Sequence, residues 1–299
     1  MSTLLALTRR NSKLFFKDKG MFFSALISPL ILLVLYVTFL LNVFRESFAA
    51  NLPEGMPNLD SLIDGTVGAQ LMSSLLAVSC VTVSFCSNML MVQDKANGAR
   101  SDLLISPLKR STLALGYYLA TTLASLIICF VAAGVCLLYV ANVGWYLSFT
   151  DVLLILLDIL LLVTFGTALS SIINFFLSTE GQISAVGTIV SAGYGFICGA
   201  YMPISQFGGT LQKVLSFFPG TYGTSLMRNH TMQGAFREMS AQGFPPEVLK
   251  GIRDSVDANL YFFGEKVSIG VMYAVVAGTV AVLLGVYILL NCLHKRAKA

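Results

Sequence analysis

Residues 30–41 read Leu-Ile-Leu-Leu-Val-Leu-Tyr-Val-Thr-Phe-Leu-Leu, and this stretch decides the fold class. A membrane-crossing strand would alternate apolar and polar residues over about ten positions, whereas a helix surrounded by lipid or protein can be apolar on every face. The run is almost unbroken, so it reads as helix. Extended to about 21–43, it meets the roughly 20 apolar residues that a bilayer core requires. Five further stretches qualify, at roughly 68–92, 113–140, 152–177, 183–202 and 267–292, with interruptions that are mostly Gly, Ser, Thr and Cys. The whole chain agrees: of its 299 residues 56% are hydrophobic and 11% charged, with a mean hydropathy of +0.79. Soluble domains carry more than twice that share of charge, and disorder requires low hydrophobicity. A net charge of +4 without a basic, aromatic-rich surface leaves nucleic acid an unsuitable partner. The expectation is an all-α integral membrane protein with six transmembrane helices.

Charge sets the orientation, because short cytoplasmic loops retain Lys and Arg. With the N-terminus inside, residues 1–20, 93–112, 178–182 and 293–299 hold 12 of the 19 basic residues against four acids, a local net of +8. The outer segments are net −3, and Asp158 lies within the fourth span. Both termini, including His294, Lys295, Arg296 and Lys298, fall on the basic side. The first apolar run of roughly 22 residues exceeds the about 7–15 of a signal-peptide core, so it reads as an uncleaved helix although Ser47-Phe48-Ala49 loosely resembles a cleavage site.

Between the spans, residues 4–17 predict an amphipathic interfacial helix: Leu4, Leu7, Leu14 and Phe15 gather on one side, and Arg9, Arg10, Lys13 and Lys17 on the other. Its role is either a basic anchor or a contact for a cytoplasmic partner. Residues 44–66, with Pro53, Gly55, Pro57, Asn58 and Gly65, read as a turn-rich outer loop. The inner connection 93–112 has a polar edge (Asp94, Lys95, Asn97, Arg100, Asp102) and an apolar patch, Leu103-Leu104-Ile105, ending at Pro107. It reads as a short helix with a docking face. Gly187, Ser191, Gly195 and Gly199, each four residues apart in the fifth span, predict close helix packing. Gly193 and Gly195 form a bare G-x-G without the strand–turn–helix context of a nucleotide site. Residues 203–266 begin with apolar helical spacing (Ile204, Phe207, Leu211, Val214, Leu215, Phe218) that predicts re-entrant outer helices. Pro245-Pro246-Glu247 then opens a helix with Val248, Ile252 and Val256 on one face. No internal repeat relates the two halves.

Catalytic constellations are absent from the sequence. The two histidines, His230 and His294, lie far apart, and there is neither a G-x-x-x-x-G-K-[ST] nor a G-x-S-x-G motif. Asn229-His230-Thr231 matches a glycosylation sequon only at the level of chance. The six cysteines fall in or at the ends of spans without metal spacing, and read as small hydrophobes. Asp158 shares a helix face with Asp151. It reads first as an acid at an interhelical contact, and second as a proton or substrate relay. Ser84, Ser87 and Asn88 share one face of the second span and suit either helix–helix hydrogen bonding or a pathway lining.

Three segments together resemble the permease subunits of ABC exporters of the type-2 class. Asp94 to Pro107 resembles that family's loop of charged residues, Gly-Thr, Leu-Leu and Ser-Pro, with Gly98-Ala99 in place of Gly-Thr and Gly116 entering the third span. Cys198-Gly199-Ala200-Tyr201-Met202-Pro203 resembles the Ser-Gly-x-x-x-Pro close of the fifth span, and Phe218-Pro219-Gly220-Thr221-Tyr222 with Arg228 resembles a Pro-x-x-Tyr…Arg segment. The chain thus divides into four regions: an interfacial helix (1–20), spans one to five (21–202) with the inner coupling loop 93–112, a re-entrant and extracytoplasmic helical region (203–266), and a sixth span with a basic tail (267–299). The resemblance implies an ATP-driven exporter in a cytoplasmic, prokaryotic membrane, formed with a second permease copy or a related permease and two ABC ATPase subunits. ATP and Mg would be bound by the ATPase, with no cofactor, metal or catalysis in this chain. Coupling falls on Gly98, Leu103, Leu104 and Pro107, and the candidate translocation path on Ser84, Ser87, Asn88, Ser184, Thr188 and Ser191. Residues 229–266 exceed the family pattern. An ion-driven secondary transporter centred on Asp158, or a membrane scaffold or sensor using region 203–266, are the alternatives.

Overall fold

In the computed structural model, which describes residues 3–36, 38, 41–49 and 59–293, a single helix organises the bundle. Helix α4 (Leu59–Ser87) is buried along most of its length, and continues after a turn at Asn88 as α5 (Met89–Ala96). Four of its hydroxyls are satisfied locally: those of Thr66, Ser73, Thr82 and Ser84 donate to the carbonyls of Leu62, Gln70, Val78 and Cys80 at 2.6–3.1 Å, whereas Ser79 Oγ and Ser87 Oγ have no partner among the described residues. A hydroxyl that back-bonds within its own helix is satisfied without water. That is how a serine-rich helix can sit at the centre.

Around α4 pack α2 (Lys19–Leu35), α3 (Leu41–Ala49), α7 (Arg110–Val143), α8 (Phe149–Phe176), α9 (Glu180–Ile197) and α11 (Pro219–Ala241). Helix α13 (Ile269–Leu293) lies outside, against α7, α8 and α11, and exposes Val271, Val282 and Leu289. The helix starts follow from their sequences. Ser148 and Asp151 form a capping box on α8, and Thr179 and Gln182 form one on α9. Asp18 caps α2 by accepting from the Met21 amide at 3.1 Å, and Pro219 and Pro246 occupy first-turn positions of α11 and α12 (Pro246–Ser255).

Among the described residues, four helical segments are long and apolar enough to cross a bilayer: Asp60–Ala96, Arg110–Val143, Phe149–Phe176 and Ile269–Leu293. The chain is thus a helical, multi-pass membrane protein. Helix α1 (Thr3–Lys17) and α2 meet at 79° and together supply a fifth apolar segment. The expected span at 183–202 is the 18-residue α9, whose apolar content is diluted by Gly181, Gly187, Gly193, Gly195, Ser184 and Ser191.

Several expectations change. The outer loop at 44–66 is largely helical where it is described, with α3 running to Ala49 and α4 starting at Leu59. Pro53, Gly55, Pro57 and Asn58, like the basic tail at 294–299, lie outside the described residues. The interfacial helix α1 buries Leu7, Thr8, Asn11 and Phe15 against the bundle, leaving Leu14 exposed, because it packs on α7 rather than resting only on lipid. Gly116 makes that contact possible: a Cβ there would lie 2.9 Å from the Leu7 Cβ. In region 203–266 the element inside the bundle is α11, buried from Gly220 to Phe236 except at Gln233. The short α10 (Gly209–Leu215) instead exposes Leu211 and Val214. The predicted helix after Pro245 is α12, and the region also holds a hairpin, β1 (Tyr261–Phe262) pairing antiparallel with β2 (Glu265–Lys266). Phe263 and Gly264 at its tip have φ of 49° and 91°, the left-handed pair that a tight primed turn requires.

Candidate functional site

The end of the bundle that carries residues 93–112 is a braced elbow. After α5, Gly98 takes φ +79° and starts α6 (Ala99–Ile105), a left-handed position that glycine adopts at little cost. Three links hold this elbow to the bundle. Asp94, buried, accepts from Arg10 of α1 at 2.8 Å and from the Tyr117 hydroxyl of α7 at 2.6 Å. The Lys95 ammonium donates to the carbonyls of Asn174, Phe175 and Leu177 at 2.6–3.0 Å, closing the end of α8 where carbonyls lack helical partners and the dipole favours a cation. Arg100 donates to the Asn291 side chain of α13 at 3.1 Å.

Of the predicted coupling residues, Leu103 and Leu104 are half-buried and pack on the core, whereas Pro107 is exposed. The apolar side chain that faces outward is Ile105, 84% exposed and the most exposed large hydrophobic among the described residues. The helical period turns one residue of the Leu103-Leu104-Ile105 triplet away from the other two.

The six predicted path residues divide. Ser84, Ser87 and Asn88 are buried. Asn88 donates to Ser170 and Ser171 at 3.0 and 3.1 Å and accepts from Thr121 at 3.3 Å, so it knits α7 and α8 to the α4–α5 turn. Ser184, Thr188 and Ser191 line a groove of about 470 Å³ between α2, α4 and α9, together with Ile31, Phe85 and Met89. Gly187 opens onto the same groove, and a methyl group placed on its Cα would meet nothing within 4 Å. Among the described residues, the small-residue stripe therefore does not seat a neighbouring helix along its length. At Gly195 a Cβ would fall 2.3 Å from the Tyr201 ring, and Gly199 has φ +74° and packs on Ile204. Those two glycines admit the chain's own returning turn.

Two buried nodes join distant segments. Asp158 on α8 contacts Nδ1 of His230 on α11 at 2.6 Å and accepts from the Tyr273 hydroxyl of α13 at 2.6 Å. Arg228, 1% exposed, donates to the carbonyls of Gly199 and Ala200 and, at 3.3 Å, to Asp257. Asp257 also accepts from the amides of Ile204 and Ser205. Sequence reading singles out Asp158 and Arg228 but assigns no role to His230, Tyr273 or Asp257. The partners lie 29 to 115 residues away, and no local signal pairs them. The described residues contain no cluster of three metal-ligating side chains.

The described residues thus form a multi-pass helical bundle with a braced elbow at one end and a small-residue groove on its side. The family model described as ABC-2 family transporter protein matches residues 51–292, and the chain belongs to that family. It is thus a permease of the type-2 ABC class, a membrane component of a kind that in general associates with an ABC ATPase. No curated protein matches the chain. The matched residues contain the elbow, the groove-lining α9 and both buried nodes, while α1 and α2 precede them.

Proposed function

We propose that this protein is the membrane-spanning half of an ATP-driven exporter whose motor docks on α6. The observation that carries the reading is Ile105: an apolar side chain 84% exposed on a short helix, beside exposed Pro107, at the tip of an elbow braced to α1, α8 and α13. Exposed apolar side chains on a rigid support suit a protein partner. Six spans with both termini on the motor's side, α9 included, fit the charge bias of the sequence.

The chain has no P-loop, so ATP and Mg belong to two copies of a separate ATPase subunit. Leu103 and Leu104 transmit its movement inward through their packing, and Gly98 supplies the bend. A second permease copy, or a related permease, faces the groove. Ser184, Thr188 and Ser191 then border a path between the two halves, opened and closed as the halves rock in the cytoplasmic membrane. An ion-driven carrier centred on Asp158 is a weaker reading, because both carboxylate oxygens are engaged by His230 and Tyr273.

The test is co-purification with a P-loop ATPase encoded beside this chain. Ile105→Glu should abolish the complex while the permease remains folded; an unchanged complex sinks the docking assignment. Disulfide trapping of Thr188→Cys between two copies would support the groove as the pairing face, and trapping only at distant control positions would reject it.

A further inference from the structure

We infer that the pocket beside α6 binds a phosphate group, and that its source is the headgroup of an anionic lipid. Lys95 of α5, Arg100 of α6 and Arg110 at the start of α7 converge on a cavity of about 590 Å³ whose apolar walls are Leu104, Phe175 and Phe176. No carboxylate lines it among the described residues. Elsewhere Arg10, Arg45, Arg228 and Arg237 each meet an aspartate. These three cations take part in no ion pair among the described residues.

Their existing partners do not cancel the charge. Lys95 directs its donors to three carbonyl dipoles, and Arg100 gives one N–H to a neutral amide. The Arg110 side chain makes no hydrogen bond among the described residues. Burial pushes the Arg100 guanidinium below its ordinary value, and the neighbouring charge of Arg110 pushes the same way. Like charges gathered in a partly desolvated pocket are costly until an anion enters.

The position selects the source. Helix α5 ends at Ala96, α7 begins at Arg110 and α8 ends at Phe176, so the pocket lies where apolar helices stop, at headgroup level. Guanidinium forks match phosphate oxygens. Phe176, 66% exposed, offers an apolar flank for an acyl chain. Basic pockets between helices at this level suit lipid phosphates.

The full-length protein, purified in detergent doped with phosphatidylglycerol, is stripped stepwise, and retained lipid is counted by native mass spectrometry against phosphatidylcholine. Wild type should keep phosphatidylglycerol selectively. Arg100→Gln/Arg110→Gln should weaken retention on the order of tenfold or more, given about 1 kcal/mol per cation. If the double variant does not fold, Arg110→Gln alone, which breaks no hydrogen bond among the described residues, should lose about fivefold. Inorganic phosphate is the second arm. If it competes with retained lipid, the phosphate is the recognised group. If it raises the melting temperature of wild type but not of Arg110→Gln, and no lipid is retained, the phosphate site stands and the headgroup is rejected. Equal lipid retention by wild type and variants, with no Arg110-dependent phosphate effect, overturns the inference.

Discussion

Nδ1 of His230 lies 2.6 Å from the carboxylate of Asp158, joining α11 to α8 inside the bundle. The Tyr273 hydroxyl completes the node from α13 at 2.6 Å. Removing one partner leaves a buried polar group without its complement, which costs about 1–3 kcal/mol. Asp158→Leu should lower the unfolding midpoint in detergent strongly. The double variant with His230→Leu should lose less than the sum of the singles, because the two share one interaction. Additive losses would mean that the contact is energetically idle.

Arg228 and Asp257 hold the turn after α9 to α11. Arg228→Ala strips hydrogen bonds from the Gly199 and Ala200 carbonyls and leaves Asp257 one donor short. A loss of about 3–5 kcal/mol is expected. Arg228→Lys should recover only part of it, since an ammonium cannot reproduce the guanidinium fork. Chemical unfolding of the three proteins measures the ranking, and full rescue by lysine would contradict it.

The approach of α1 to α7 depends on Gly116. Gly116→Val places side-chain atoms where the Leu7 Cβ lies, since even a methyl there would sit 2.9 Å away. Overpacking of this kind costs about 1–3 kcal/mol, and the strain is relieved by releasing α1. Trypsin should then cut at Arg9 or Arg10 much faster than in wild type. Unchanged cleavage rates would show that α1 shifts without detaching.

Ile105 and Leu104 are neighbours with opposite expected phenotypes. Ile105→Glu changes an exposed side chain, so its effect on stability should stay within about 0.5 kcal/mol, while binding of the ATPase is lost. Leu104→Glu puts a charge where the side chain packs on the core, so it should lower the melting temperature as well. Thermal unfolding and co-purification of both variants separate docking from packing. Equal destabilisation by both would refute the assignment of faces.

Gly187 faces open space among the described residues, and a larger side chain there meets none of them. Gly187→Leu should leave the fold intact or stabilise it slightly, by up to about 1 kcal/mol from helix propensity. It should nevertheless depress transport in proteoliposomes if the groove borders the path. A variant that unfolds would show that the groove is filled by this chain itself.

Much of this protein was decided by local sequence. Unbroken apolar runs such as residues 30–41 require helices in lipid because every backbone group must be bonded within its own segment. Pro246, the Ser148–Asp151 pair and Gly98 mark helix starts that depend on a few adjacent residues, and α12, α8 and α6 begin where those residues stand. The charged connection at 93–112 and its short helix were legible for the same reason. Tertiary structure alone decided which polar and apolar side chains face what. Hydropathy distinguishes water from an apolar surrounding, but lipid and protein interior are both apolar, so the burial of Asn88 and the openness of Ser184 leave no different trace in sequence. Nor does composition reveal that α11, with a nearly neutral balance of polar and apolar residues, is a buried helix, because its hydrogen bonds are closed by residues far along the chain. Asp158 meets His230 across 72 residues and Tyr273 across 115, and only folding brings such groups within reach.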